Sequence, residues 1–213
     1  KQSRFFIRKP LGVLLQIIDY EHVPFFQLPY LRARSGGGRE LATLPFHKAK
    51  FSHLPEGVDA IILFSDLQGR EMNHKTHQPS RLLAFRVVDE IQQQIEAGTL
   101  PSFSSMGIVI AGDLYSDPQA NKRGASGYVY DVWEYCAQHA KWVVGVPGNH
   151  DFFSPTNPEK IPKHKTNNIT ILDEDHGKYG DITFAGIAGV AGSSFKPWRK
   201  KAKTRAQILK RLI

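Results

Sequence analysis

The stretch Trp142-Val143-Val144-Gly145-Val146-Pro147-Gly148-Asn149-His150-Asp151 decides how this chain is read. Its first five residues run without a charged or polar side chain, and then a Pro-Gly turn presents an amide, an imidazole and a carboxylate. A continuous apolar run of this length suits a strand buried on both faces, as in a parallel sheet. Working outward, the same arrangement occurs twice upstream. Residues 58–64 run into Ser65-Asp66, and residues 107–111 run into Gly112-Asp113.

The segments between these strands have helical spacing. Over residues 81–97, Leu82, Phe85, Val88, Ile91 and Ile95 recur every three or four positions, with Ser80 as the expected N-cap and Gly98 just beyond the end. A second helix is predicted over 128–140, where Val129, Val132, Trp133 and Cys136 fall on one side. Strand, helix, strand, helix, strand is the order of βαβ units with a largely parallel sheet. Right-handed crossovers bring the carboxyl ends of such strands to one edge, where ligands gather in open α/β sheets. Two more strands are expected over 168–172 and 181–187, joined by a turn at 175–180. The tail, residues 198–213, carries Ile208, Leu209 and Leu212 at helical spacing.

The first 56 residues read differently. Phe5, Phe6, Leu14, Leu15, Ile17 and Ile18 suit strand and helix equally, so residues 1–56 are taken as a segment of their own ahead of a domain over 57–213. Ser35-Gly36-Gly37-Gly38-Arg39 is a loop by composition. It lacks the following Lys-Ser or Lys-Thr of a phosphate-cradling loop.

At 213 residues the chain suffices for one sizeable α/β domain, and 41% hydrophobic with 23% charged residues excludes a disordered or fibrous class. Lys and Arg number 28 against 20 Asp and Glu, giving a net charge of +8 that favours anionic partners. Much of that excess sits at the two ends, in residues 1–9 and 199–211, and no nucleic-acid module accompanies it; nucleic acid is therefore not the favoured partner. Cys136 is the sole cysteine, which precludes an intrachain disulfide and points to a reducing, cytoplasmic setting. The longest apolar run near the start, residues 11–18, is interrupted by Gln16 and is far short of the about 20 residues that span a bilayer, so no membrane span is expected.

The chemistry lies at the strand ends: Asp66 and Gln68, then Asp113, then Asn149, His150 and Asp151. Any one of these has an ordinary explanation, because Asp and Asn are frequent in turns. Three such turns in sequence, each directly after a buried strand, call for more than that. Oxygen and nitrogen donors gathered this way suit divalent Mn, Fe, Zn or Mg.

The ordered set resembles the calcineurin-like metallophosphoesterase superfamily, whose pattern runs D-x-H, G-D, G-N-H-D or G-N-H-E, a separate H, and finally G-H-x-H. The match is Asp66-Leu67-Gln68, Gly112-Asp113 and Gly148-Asn149-His150-Asp151, and the resemblance covers residues 58–189. It implies an α/β/β/α sandwich, incomplete at the C-terminus, and hydrolysis of a phosphoester substrate by a metal-bound hydroxide at a centre of two divalent ions, with Mn first among them. Asp66 and Gln68 would bind the first ion, Asp113 would bridge both, and Asn149 would bind the second. His150 would act on the phosphoryl group, with Asp151 orienting it.

Two departures qualify this resemblance. Gln68 stands where most members carry His, and an amide oxygen shifts preference toward oxygen-loving ions such as Mn or Mg. No G-H-x-H follows His150, since the only later histidines are His164 and His176, each in a polar stretch. The resemblance therefore implies a chain that stops before its last ligands and is a poor catalyst as it stands. Its rivals are a nuclease of the same superfamily and a binding protein that keeps the fold without hydrolysis. His74 and His77, just after the first motif, read as surface histidines of a polar loop rather than as substrate contacts. His47, His53 and His139 have no motif context.

Overall fold

The computed structural model describes residues 6–8, 15–160, 168–192 and 197–212. In chain order its principal elements are β1 (Phe26–Ala33), β2 (Arg39–Phe46), β3 (Ala60–Phe64), β4 (Arg70–Met72), β5 (Pro79–Leu82), α1 (Leu83–Glu96), β6 (Met106–Ile110), α2 (Tyr130–His139), β7 (Trp142–Gly145), β8 (Ile169–Ile171), β9 (Asp175–Tyr179), β10 (Ile182–Gly186) and α3 (Ala202–Leu212). The protein is mixed α/β.

The three apolar runs, with β8 added at one edge, form a four-stranded parallel sheet in the order β8-β7-β6-β3. Successive side chains of a strand point to opposite faces, and both faces of this sheet are covered. Met106, Ile108, Ile110 and Val143 pack with Val88 and Ile91 of α1 and Trp133 and Cys136 of α2. Val109, Trp142 and Val144 pack the other way, against Ile182 and Phe184 of β10. That coverage on both sides is why β6 is buried along all five residues.

The helix α1 starts later than its apolar spacing predicts. Ser80 does not cap it, because residues 79–82 are drawn into pairing with β4, and Leu82 takes the cap position without a side-chain bond. Gly98 does stand just past its end, its N–H bonded to the Ile95 carbonyl. Cys136 is buried in α2, where loss of solvent pushes its thiol up to about 12.

The expected turn at 175–180 is instead a strand. Residues 175–179 pair antiparallel with β10 in the register Tyr179↔Ile182, and the chain reverses at Gly180-Asp181. Tyr179 explains the preference, since its ring stacks on Trp142 with centroids 4.8 Å apart and anchors an otherwise polar stretch. In the tail the helix runs from Ala202, not from Trp198. Trp198 is buried, and the Arg199–Lys200 strand that follows pairs with Val190–Ala191.

From the first 56 residues, β1 and β2 form a hairpin paired from Phe26↔Phe46 to Ala33↔Arg39, and the run 35–38 is its tip. This hairpin joins β4 through Leu31↔Arg70, giving a sheet in the order β2-β1-β4-β5. His74 and His77 lie in the β4–β5 turn, which is closed by the Asn73 side chain accepting from the Lys75 and Thr76 N–H groups. Lys1, Lys9, the first half of the apolar run 11–18, and His164 lie outside the described residues. Among the described residues no helix is long and apolar enough to cross a membrane.

Trp133 has no exposed surface and packs against Phe153 beneath the sheet. Trp133→Ala is expected to cost about 3–5 kcal/mol by opening a cavity that the neighbouring rings cannot refill. Urea unfolding monitored by circular dichroism reads this as a fall in midpoint.

Candidate functional site

Backbone pairing of the central sheet continues past the strand ends and fixes where the polar residues go. The Ala111 N–H donates to the Phe64 carbonyl at 2.9 Å, the Val146 N–H to Ile110 at 2.9 Å, and the Asp66 N–H to Gly112 at 2.9 Å. Asp66 and Asp113 therefore leave adjacent strands side by side. Both sit at positive φ, 54° and 57°, a region costly for most side chains but tolerated by Asp. Glycine on either side lets the turns touch. A Cβ on Gly112 would stand 2.5 Å from the Gly148 nitrogen, and one on Gly148 would stand 2.1 Å from both the nitrogen and Oδ1 of Asp113.

Asp151 binds these turns together. Its carboxylate is fully buried and accepts backbone N–H bonds from Gly148 and Asp113, each at 2.8 Å, and from Leu114 and Tyr115 at 2.8 and 3.2 Å. Burial pushes this carboxyl up to about 6, with the Asp113 charge adding to it, against the downward pull of its backbone donors. Asp113 is itself raised, chiefly by burial and further by Asp66, and opposed by His150 and by the N–H groups of His150 and Asn149. The His150 N–H reaches its Oδ1 at 3.2 Å.

The resemblance implies that Asp151 orients His150. Among the described residues its carboxylate hydrogen-bonds to backbone N–H groups, so its hold on His150 runs through the loop. The ring's partner is Ser126, whose Oγ lies 3.1 Å from Nδ1. Trp198 extends the same support, its indole N–H donating to the Asp151 carbonyl at 2.6 Å.

A pocket of about 310 Å³ opens at this edge. Asp66 and Gln68 lie in its wall with Tyr115 and Ser116 from the loop after Asp113, Lys122, Arg123 and Gly124 further along that loop, and Tyr30, Arg32 and Glu40 from the hairpin. His150 stands at the rim, 3.6 Å from where a Gly124 Cβ would lie. No family model, curated protein or solved structure matches the chain.

Among the described residues no three His, Cys, Asp or Glu side chains gather as a metal-binding group. The donors at this edge are instead two neighbouring carboxylates, Asp66 and Asp113, with Gln68 beside Asp66 in the pocket wall and the Asn149 backbone N–H bonded to Asp113. This set fits a divalent cation that prefers oxygen. Like charges close enough to raise the Asp113 carboxyl are relieved by a cation between them. Of the later histidines, His176 is exposed on β9, 3.7 Å from Asp175.

Sequence reasoning missed Ser126, Tyr115, Lys122, Arg123 and the hairpin residues. Only the adjacent basic pair ahead of Gly124 offered a signal in the loop after Asp113.

Because the folded Asp151 carboxyl titrates above the usual value of about 3.9, the native state holds a proton that the unfolded chain releases between about pH 4 and 6. This group therefore costs stability as pH rises through that window, by at most about 3 kcal/mol, and nothing further above it. Metal-free protein should lose urea stability from pH 4 to 6.5. Asp151→Asn should flatten this slope, and an unchanged slope would place the titration elsewhere.

Proposed function

We propose that the protein is a metal-dependent phosphoester hydrolase of the metallophosphoesterase type, built on that family's sandwich and working in the cytoplasm. The observation that supports this reading best is the joining of three strand ends into one edge. Asp66 N–H bonds to Gly112, His150 N–H bonds to Asp113, and Asp151 holds the Gly148 and Asp113 turns together. Asp66, Gln68, Asp113 and Asn149 would hold two divalent ions, Mn first, with Asp113 serving both. When bound, such ions neutralise the charge of a phosphate ester and lower the pKa of bound water.

The chain's own groups do the rest. His150 has its Nδ1 engaged by Ser126, while its Nε2 has no partner among the described residues and is left to give a proton to the departing oxygen. Imidazole is the side chain most often used for such general-acid transfer. Asp151, by fixing the loop, keeps the imidazole at a constant place beside Asp113.

Calorimetry with Mn on the full-length protein tests the centre, and its turnover of p-nitrophenyl phosphate tests the chemistry. Asp113→Asn should abolish Mn binding, Gln68→Ala should weaken it, and a chelator should stop turnover. His150→Asn should leave Mn binding unchanged and lower turnover by about 10²–10⁴-fold. Turnover that survives exhaustive chelation would overturn the proposal, and tight Mn binding with no turnover would make the protein a binding module on the same fold.

A further inference from the structure

The cations around the 310 Å³ pocket are not equivalent. Arg32 is neutralised by Glu40, Nε to Oε1 at 2.8 Å. Lys122 and Arg123, which also line it, are exposed and form no ion pair or hydrogen bond with any described residue. Solvated lysines and arginines are ordinary on a surface. These two differ because their loop is fastened on both sides of them, close to the proposed centre.

Upstream, the Asp117 carboxylate accepts from the Gln119 and Asn121 N–H groups at 3.0 and 3.3 Å, and Ala120 is wholly buried. Downstream, the Gly127 N–H bonds to the His150 carbonyl at 3.0 Å, and Gly127 lies so close under Tyr115 that a Cβ would meet the ring at 2.3 Å. The Arg70 guanidinium also lies over the Tyr115 ring, 5.7 Å from its centroid. Tyr115 is thus held in place by its neighbours within the chain. The unpaired charge of Lys122 and Arg123 is then the strongest recognition chemistry left in the pocket.

We propose that Lys122 and Arg123 hold a second phosphate of the substrate, so that the pocket selects a bisphosphorylated ester over a simple monoester. The choice of ester cut rests on the phosphoesterase reading above; the recognition of a second phosphate does not. A guanidinium presents paired N–H donors that match phosphate oxygens, and an adjacent ammonium adds charge without competing for the same geometry. The reaction is hydrolysis of one ester, with water consumed and an alcohol and orthophosphate released. The second phosphate stays on the alcohol.

The test compares adenosine 3′,5′-bisphosphate with p-nitrophenyl phosphate in the wild-type chain and in Lys122→Ala/Arg123→Ala, a change confined to exposed side chains. The double variant should lose about 30-fold or more in kcat/KM for the bisphosphate and stay within about twofold for p-nitrophenyl phosphate. Lys122→Arg/Arg123→Lys, which preserves charge, should retain most of the preference. Equal losses on both substrates, or none on either, would overturn the proposal. Calorimetry with pyrophosphate and orthophosphate separates the two readings if neither ester is hydrolysed. Pyrophosphate binding about tenfold tighter than orthophosphate, and lost in the double variant, would uphold this inference while the phosphoesterase reading fell. Equal affinities would overturn it.

Discussion

The buried carboxylate of Asp151 is the constraint on which the site depends. One side chain accepts from backbone donors in two separate turns, the one after β6 and the one after β7, which are 37 positions apart at Leu114 and Asp151. Hydrogen bonds to a charged group contribute about 1.5–3 kcal/mol each, but removing the carboxylate from water costs several kcal/mol. The upward shift to about 6 shows that desolvation outweighs these bonds. Stability is therefore a poor explanation for the residue. Its effect is positional: it fixes the backbone of Asp113, Leu114 and Tyr115 against Gly148, and so fixes where Asp113 and His150 stand. Trp198 and the Gly189 N–H, bonded to the Pro147 carbonyl at 2.7 Å, secure the same loop from the C-terminal side.

How much of this was legible in the sequence follows from what each residue contacts. The central strands could be read because burial on both faces demands uninterrupted apolar runs, and the strand-end residues followed from them. Helix α1 was legible in its apolar face but not in its start, because strand pairing at residues 79–82 took the segment in which Ser80 would have been a cap. Residues 175–179 were misread as a turn since their strand character depends on a partner in β10 and on Tyr179 stacking against a distant Trp142.

The hairpin was illegible for a sharper reason. Along β2 exposed and half-buried positions alternate, and Ala42, Leu44 and Phe46 take the half-buried side. The apolar pattern is broken at the start of the strand, where Leu41 is 61% exposed and Glu40, on the half-buried side, pairs with Arg32. Pro45 among the exposed positions blurs the strand signal further. The hairpin's approach to the site is equally silent, since it depends on Gly69 having no side chain. A Cβ there would lie 2.4 Å from the Tyr30 ring, so the glycine directly after Gln68 is what admits Tyr30 to the pocket wall.

Arg70, next in the chain, connects these features. Its guanidinium donates to the Ser116 carbonyl at 2.6 Å, to Asp117 and Ser80 carbonyls at 3.3 Å, and covers the Tyr115 ring. It thereby holds the loop after Asp113 against the strand that follows Gln68, and the loop cannot drift without breaking bonds to a half-buried cation. Carbonyl acceptors satisfy its N–H groups but do not cancel the charge of a guanidinium, whose pKa burial lowers. Asp117 and Asp131 act on it only from beyond ion-pair distance among the described residues. The same residue that fastens the loop therefore adds a positive charge beside Tyr115 and Ser116, which line the pocket together with Lys122 and Arg123, while Asp66 and Asp113 concentrate negative charge at the strand ends. A field graded in this way favours an elongated polyanion lying across the pocket, provided that cations mask the two aspartates.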